Sequence, residues 1–296
     1  MKLNLSDEVS GAVHFDRPIV ALESTVIAHG LPHPQNLETA RRLEAIVREG
    51  GAVPATIAVF GGNITVGLTE EQIDHLGTAK DIRKISRRDL PIAVANKLDC
   101  ATTVATTALI AHKTGIKVFA TGGIGGVHRG YSNDVSADLP ELAQTPMIVV
   151  CSGAKIVLDL PATREWLETW GITVLGWQCD EMPAFYSRES GLAIDERVDS
   201  AADVARIAEA RGDLGMRSAL LVTVPVPAEF ELPADELEAV LADSMSAATQ
   251  KGIRGKEITP FLLAEMSART AGRTLKANIA LLENNARVAA AIASAL

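Results

Sequence analysis

Along the first two thirds of the chain the apolar positions switch repeatedly between a continuous or period-two pattern and a helical one. "RPIVALES" (residues 17–24) and "VPATIAVF" (53–60) read as buried strands, and "NITVG" (63–67) as a short strand after a glycine turn. Between the first two, residues 36–51 place Leu37, Ala40, Leu43, Ile46 and Val47 at helical spacing and end in paired glycines. "TEEQIDHLG" (69–77) opens with Thr69 and Gln72 in capping-box positions, where each satisfies an amide of the first turn. "PIAVAN" (91–96) and "IKVFATG" (116–122) read as strands on either side of a helical stretch at 101–115. "PMIVVCSG" (146–153) and "TVLGWQ" (173–178) are strands separated by a region containing "ATREWLETWG". "SALLVTVPVP" (218–227) is the last convincing strand, and its prolines place its end there or put it near a sheet edge. Beyond Pro233 the pattern is helical throughout.

Alternation of this kind predicts an α/β fold of three layers (α/β/α), with a central, mostly parallel or mixed sheet and a helical C-terminal region. With no low-complexity linker and no internal repeat, one domain over residues 1–296 is expected.

Composition narrows the function classes. The 296 residues are 47% hydrophobic but only 4% aromatic, so the core must be aliphatic. A net charge of −9 argues against nucleic acid or anionic membrane as partner, since both need a basic face. A small phosphorylated ligand stays open, because a few local cations and amides can hold one. No apolar run reaches the roughly 18 residues of a membrane helix, and "MKLNLSDEVSGAV" lacks the apolar core of a signal peptide. Cys100, Cys151 and Cys179 are odd in number, widely spaced and outside any C-x-x-C pattern, which predicts reduced thiols in a cytoplasmic protein.

The candidate chemistry gathers around "GGIGGVHRG" (122–130). The spacing fits neither the dinucleotide nor the nucleoside-triphosphate loop. Its glycines still let backbone amides approach an anion, with His128 and Arg129 as charged donors, or form a solvated turn. In "NDVSADLPEL", an extended chain projects Asp134, Ser136 and Asp138 to one side, for phosphate, metal or proton transfer; alternatively Asp138 caps the helix that follows. Lys155 is flanked by apolar residues in "CSGAKIVLDL", which suits a desolvated nucleophile or a snorkelling stem. Glu23 ends a strand, where α/β sheets collect their sites. Lys84, Arg87 and Arg88 in "KISRRDLP" orient a substrate or form a charged turn. His29 and His33 have an H-x-x-x-H spacing in a Gly/Pro-rich loop, a weak zinc pattern. Asn284 and Asn285 interrupt a helical run and hint at amide recognition near a site.

In combination and in order, "VALESTVIAHGLPHPQN", "GAVPATIAVFGG", "VGLTEEQI", "KISRRDLP", "ATTVATT", "KVFATGGIGGVHRG", "DVSADLPELA", "CSGAKIVLDL" and "GKEITPFLLAE" resemble the pseudouridine-5′-phosphate glycosidase family, also labelled indigoidine synthase A-like. The resemblance implies reversible cleavage of the C–C bond between uracil and ribose 5-phosphate, through a ring-opened iminium on a lysine. By motif it implies Lys155 as nucleophile, Glu23 as proton donor and Asp134 as ligand of one Mn²⁺ or other divalent cation per subunit. It places Lys84, Val104, Ser136, Ala137 and Asp138 on the substrate, with His128 beside them. It further implies a homotrimer. The "YSN" between "VHRG" and "DVSAD" is shorter than in some relatives, and the sugar-kinase domain fused to some of them is not expected here. Two rival readings use the same residues: a Schiff-base aldolase or lyase on another sugar phosphate, and a sugar-phosphate-binding module without turnover.

Overall fold

The computed structural model describes residues 3–130, 133–253 and 258–296. Its strands are β1 (Leu3–Leu5), β2 (Ile19–Glu23), β3 (Val53–Phe60), β4 (Asn63–Val66), β5 (Arg83–Ile85), β6 (Cys100–Thr102), β7 (Val118–Ala120), β8 (Val127–His128), β9 (Ile148–Cys151), β10 (Leu158–Asp159), β11 (Thr173–Trp177), β12 (Glu196–Val198) and β13 (Leu220–Thr223). An 11-stranded sheet runs in the order β1-β4-β3-β2-β7-β9-β13-β11-β12, with β6 on the far half of β3 and β5 beyond it. Pairing is parallel except where β3 meets β4 and β6, so the sheet is mixed but mostly parallel.

Helices cover both faces, which is why β2, β6, β7, β9 and β13 are buried at every position. The C-terminal helix Arg273–Ala295 lies on β2, β7 and β9, with the helices Gln35–Glu49 and Ala201–Asp213 beside it. The helix Val104–Thr114 packs on β2 and β3. Three strands in the middle of the sheet are brought to one level by register: Leu22 pairs with Ala120, and Ala120 with Val150. Their C-terminal ends therefore open on the same edge, the position where α/β sheets form ligand crevices.

The structure corrects one reading of the sequence and decides between the two alternatives left open in another. "PIAVAN" is not a strand but belongs to the helix Leu90–Ala95. The Ser86–Asp89 capping turn and Pro91 start a helix there. Leu90 and Ala93 are buried while Ile92 and Val94 are 44% and 42% exposed, a spacing of three that a short apolar run conceals. β13 ends at Thr223 before its prolines, but it is no edge strand: it is paired on both sides, with β9 and β11. Thr69 and Gln72 form the expected capping box. None of the runs read as strands corresponds to β1, β5, β6, β12 or the small β8–β10 pair.

Candidate active site

Glu23 closes β2 and is buried, with the Thr121 hydroxyl donating a hydrogen bond to its Oε1. Thr121 itself follows β7, its amide bonded to Val150 O at 3.0 Å. Past the end of β9 the chain turns through Ser152, Gly153 and Ala154 to Lys155. Gly153 has φ +80°, and a Cβ there would lie 2.0 Å from the Pro183 carbonyl oxygen, so only glycine makes this turn. The Lys155 turn is laced to the glycine-rich stretch: Ile124 N donates to Gly153 O at 3.1 Å, and Lys155 N to Ile124 O at 3.1 Å. The acid and the amine are thus carried by parallel strands separated by one strand between them.

A second group forms around the helix Asp138–Leu142. The Asp138 carboxylate does not cap its own helix. Its Oδ1 accepts from Ala105 N at 3.0 Å, in the first turn of Val104–Thr114, and its Oδ2 from Gly125 N at 2.8 Å. One carboxylate therefore ties a helix N-terminus to the glycine-rich stretch, and Val104 is brought to the cavity wall. Ser136 Oγ accepts from Asp138 N at 3.3 Å.

These elements enclose two adjoining spaces that share Glu23, Thr25, Lys84, Lys155 and Thr259. One, of about 250 Å³, is polar and lined also by Val104, His128, Asp134, Ser136, Ala137 and Asp138. The other is more apolar, walled by Phe185, Pro260, Leu263 and Leu282 with the Asn278 amide among them. Lys155 and Glu23 stand where the two meet. Burial pushes the Glu23 carboxyl above its usual range; Lys155, the Thr121 hydroxyl and Lys84 pull it back, while Asp138 pushes it further up. The net shift is upward, the direction that suits a proton donor.

Asp134 is the outermost acid, its side chain 57% exposed and its Oδ1 3.4 Å from His128 Nδ1. Among the described residues no three His, Cys, Asp or Glu side chains converge as a ligand set. A hard divalent cation that takes one protein carboxylate and completes its shell with water and substrate oxygens fits this donor set; a fully protein-caged metal does not. His29 and His33 form no such set either: His29 belongs to the π-helical turn Val26–Gly30 and lines the apolar space.

The sequence profile of the indigoidine synthase A like protein family matches residues 8–295. The chain belongs to this family. A protein named pseudouridine-5′-phosphate glycosidase from Caldanaerobacter subterraneus subsp. tengcongensis is 53% identical over 98% of this chain and 95% of its own. One of the same name from Solibacter usitatus is 50% identical over the whole of both chains. Among solved structures, the prealnumycin C-glycosynthase AlnA in complex with ribulose 5-phosphate superposes with a TM-score of 0.92, at 40% identity over 100% of this chain and 97% of its own. An indigoidine synthase A-like protein from Thermotoga maritima gives 0.91, at 38% identity over 99% and 96%.

All nine residues singled out by motif line these two spaces: Lys155, Glu23, Lys84, Val104, His128, Asp134, Ser136, Ala137 and Asp138. Arg129 does not join them, since its Nε donates to Leu158 O at 3.0 Å. Arg87 pairs at 2.8 Å with the buried Glu141, whereas Arg88 lies at the rim of the polar space. Asn284 donates to Pro225 O, and Asn285 bonds to Thr121 O and Ser152 Oγ, so neither faces a ligand. Tyr131 and Ser132, of the "YSN" between two motifs, and Gly255, Lys256 and Glu257, of "GKEITPFLLAE", lie outside the described residues. Thr25, Thr121, Phe185 and Asn278 were not foreseen. Thr25, within "VALESTVIAHGLPHPQN", and Thr121, within "KVFATGGIGGVHRG", carried a local signal; Phe185 and Asn278 meet the site through tertiary packing.

Proposed function

We propose that this protein cleaves, reversibly, the C–C glycosidic bond of pseudouridine 5′-phosphate to give uracil and ribose 5-phosphate. The observation that carries the reading is the pairing of Lys155 with a buried Glu23 held toward its protonated form, at the junction of a polar and an apolar space. The names of relatives about 50% identical over the full chain support the substrate, and the AlnA complex supports a pentose phosphate in the polar space.

The bond is hard to break because carbon is a poor leaving atom. Lys155 Nζ attacks C1′ and the ring oxygen departs, taking a proton, so the sugar opens. Glu23 delivers a proton to C5 of uracil. The C1′–C5 electron pair returns to the base as uracil leaves, and the lysine nitrogen lone pair forms the C1′=N⁺ iminium. Water then adds to C1′, releasing ribose 5-phosphate and the free amine. Asp138, its oxygens engaged by two amides, serves as a fixed acceptor that holds Gly125 and the Val104 helix terminus around the sugar phosphate. Lys84 supplies positive charge, His128 a ring nitrogen, Ser136 a hydroxyl and Ala137 a backbone contact; the Asn278 amide addresses the polar edge of uracil. Remote binding of the phosphate helps align C1′ with Lys155.

In this reading Asp134 holds a divalent cation, Mn²⁺ or a similar ion, which when bound would orient polar groups and offset developing negative charge. The functional unit is a homotrimer acting in the cytoplasm, in pseudouridine breakdown. Among the described residues no helix is long and apolar enough to cross a membrane.

The test is to incubate the purified protein with pseudouridine 5′-phosphate and Mn²⁺ and separate the products. Metal-dependent appearance of uracil and ribose 5-phosphate is expected. A folded, metal-supplied protein that releases neither is not this enzyme. The AlnA likeness favours one other reading, C-glycosylation of a different acceptor, for which ribose 5-phosphate would be consumed without uracil.

A further inference from the structure

Asn285 is a buried polar group of the core that the reaction proposed above does not use. Asn285 lies in the middle of the helix Arg273–Ala295 and is fully buried, among alanines and leucines that would pack the same helix without it. Asparagine is neither a good helix former nor an inexpensive group to bury. Its amide is spent on the ends of two strands. Nδ2 donates to Thr121 O at 2.8 Å, approaches Gly122 O at 3.4 Å, and lies 3.1 Å from Ser152 Oγ; the Ser152 hydroxyl in turn donates to Asn285 Oδ1 at 3.2 Å.

Those two strand ends carry the reacting pair. Thr121 is the residue whose hydroxyl holds Glu23, and Ser152 begins the four-residue turn that ends in Lys155. Ser152 N also donates to Gly122 O at 2.9 Å, and Phe185 N to Ser152 O at 3.0 Å, so the amide sits at the centre of the knot between β7 and β9. A side chain from a distant helix therefore couples the acid's partner to the nucleophile's turn.

We propose that Asn285 and Thr121 act as one positioning unit for the proposed reaction: Asn285 locks the ends of β7 and β9 together, and Thr121 transmits that placement to the Glu23 carboxyl, fixing the acid relative to Lys155. The inference rests on the function proposed above. Neither residue is a catalytic residue in this scheme, because Asn285 acts through Thr121 and Ser152, and Thr121 through Glu23.

The test uses the intact protein, the variants Thr121→Val, Thr121→Ser, Asn285→Ala and the double variant Thr121→Val/Asn285→Ala, and two readouts. The first is steady-state cleavage of pseudouridine 5′-phosphate across pH. The second is borohydride trapping of ribose 5-phosphate on the protein, read by mass spectrometry. Trapping and turnover in the wild type test the function itself; ratios of variant to wild type test the positioning.

Thr121→Val is expected to lower kcat by about tenfold or more while changing KM less than about threefold. Loss of the hydroxyl removes a bond that favours the ionised carboxyl, so the alkaline limb set by Glu23 should move to higher pH. Thr121→Ser should restore both. Asn285→Ala should lower kcat comparably, and the double variant should lose clearly less than the product of the two single losses, since both act through one contact. Wild-type kcat and an unmoved limb in Thr121→Val, or fully multiplicative losses in the double variant, overturn the proposal. Should Asn285→Ala fail to fold, Thr121→Val against Thr121→Ser still decides between positioning and simple structural support. A wild type that neither turns over substrate nor traps the sugar defeats the function, a result recognisable before any variant is measured.

Discussion

Gly125 is the point where the polar space tolerates least change. A Cβ built on it would lie 2.2 Å from Ser136 Oγ, 2.7 Å from Ser136 Cβ and 2.8 Å from Asp138 Oδ2. Cβ contacts under 3.0 Å essentially never occur, so Ser136 Oγ must retreat from 2.2 Å by at least 0.8 Å. Rotating the serine side chain is not enough, because its Cβ is fixed to the backbone and is itself too close. The segment carrying Ser136 and Asp138 must move, and with it the carboxylate that holds Gly125 N and Ala105 N. Misplacing a site group by about 1 Å costs on the order of 10²-fold in rate, or about 2.7 kcal/mol of transition-state stabilisation. Overpacking itself costs about 1–3 kcal/mol of stability. Gly125→Ala should therefore lower kcat/KM for pseudouridine 5′-phosphate by about 100-fold, with KM raised because groups assigned to the sugar phosphate are displaced. Gly212→Ala is the control. It lies in the helix Ala201–Asp213, an added Cβ meets nothing within 4 Å, and it should gain about 0.5–1 kcal/mol with unchanged kinetics. Steady-state kinetics and urea unfolding of both variants provide the measurement. A folded Gly125→Ala protein whose kcat/KM stays within about twofold of wild type would refute the placement of Ser136 and Asp138 on the substrate.

Other consequences follow from the same geometry. Lys155→Ala should keep the fold and reduce turnover to background, and borohydride should no longer trap the sugar; normal activity would remove the covalent step. Glu23→Gln should lose activity yet raise stability at neutral pH. With its folded pKa raised above 4.5, native Glu23 retains a proton that the unfolded chain releases as pH rises through that window. Wild-type stability therefore declines across the window, and the Tm advantage of the glutamine variant should vanish toward pH 4.5 and grow above it; a constant difference would contradict the burial argument. Asp134→Ala should weaken activation by Mn²⁺ while leaving unfolding in metal-free buffer little changed, since the side chain is 57% exposed; a metal titration unchanged from wild type would reassign the ligand. The thiols should react slowly with alkylating reagents in the native state, because burial raises their pKa to about 11 at Cys100 and Cys179 and to about 12 at Cys151; rapid native-state modification would contradict this.

What the sequence determined by itself is what local chemistry dictates. The β-branched, glycine-bounded run at residues 53–60 reads as a buried strand, and Thr69 with Gln72 can cap a helix without help from elsewhere. The family resemblance carried Lys155, Glu23 and the "DVSAD" segment to the site, since motif order survives folding. Short or ambiguous segments were decided by tertiary contact. Residues 91–96 have β-rich composition, yet a proline-started turn and the burial of Leu90 and Ala93 make them helical. The prolines after β13 gave the strand its end but not its place, because pairing with β11 and β9 depends on residues 47 and 72 positions away. Asp138, readable in sequence as a site residue or as a local cap, became a bridge to Gly125 and Ala105, because a carboxylate seeks the nearest unpaired amides in space rather than in sequence. Asn285 is the same case at greater range: a weak irregularity in a helix, given meaning only when the fold lays that helix across the ends of β7 and β9.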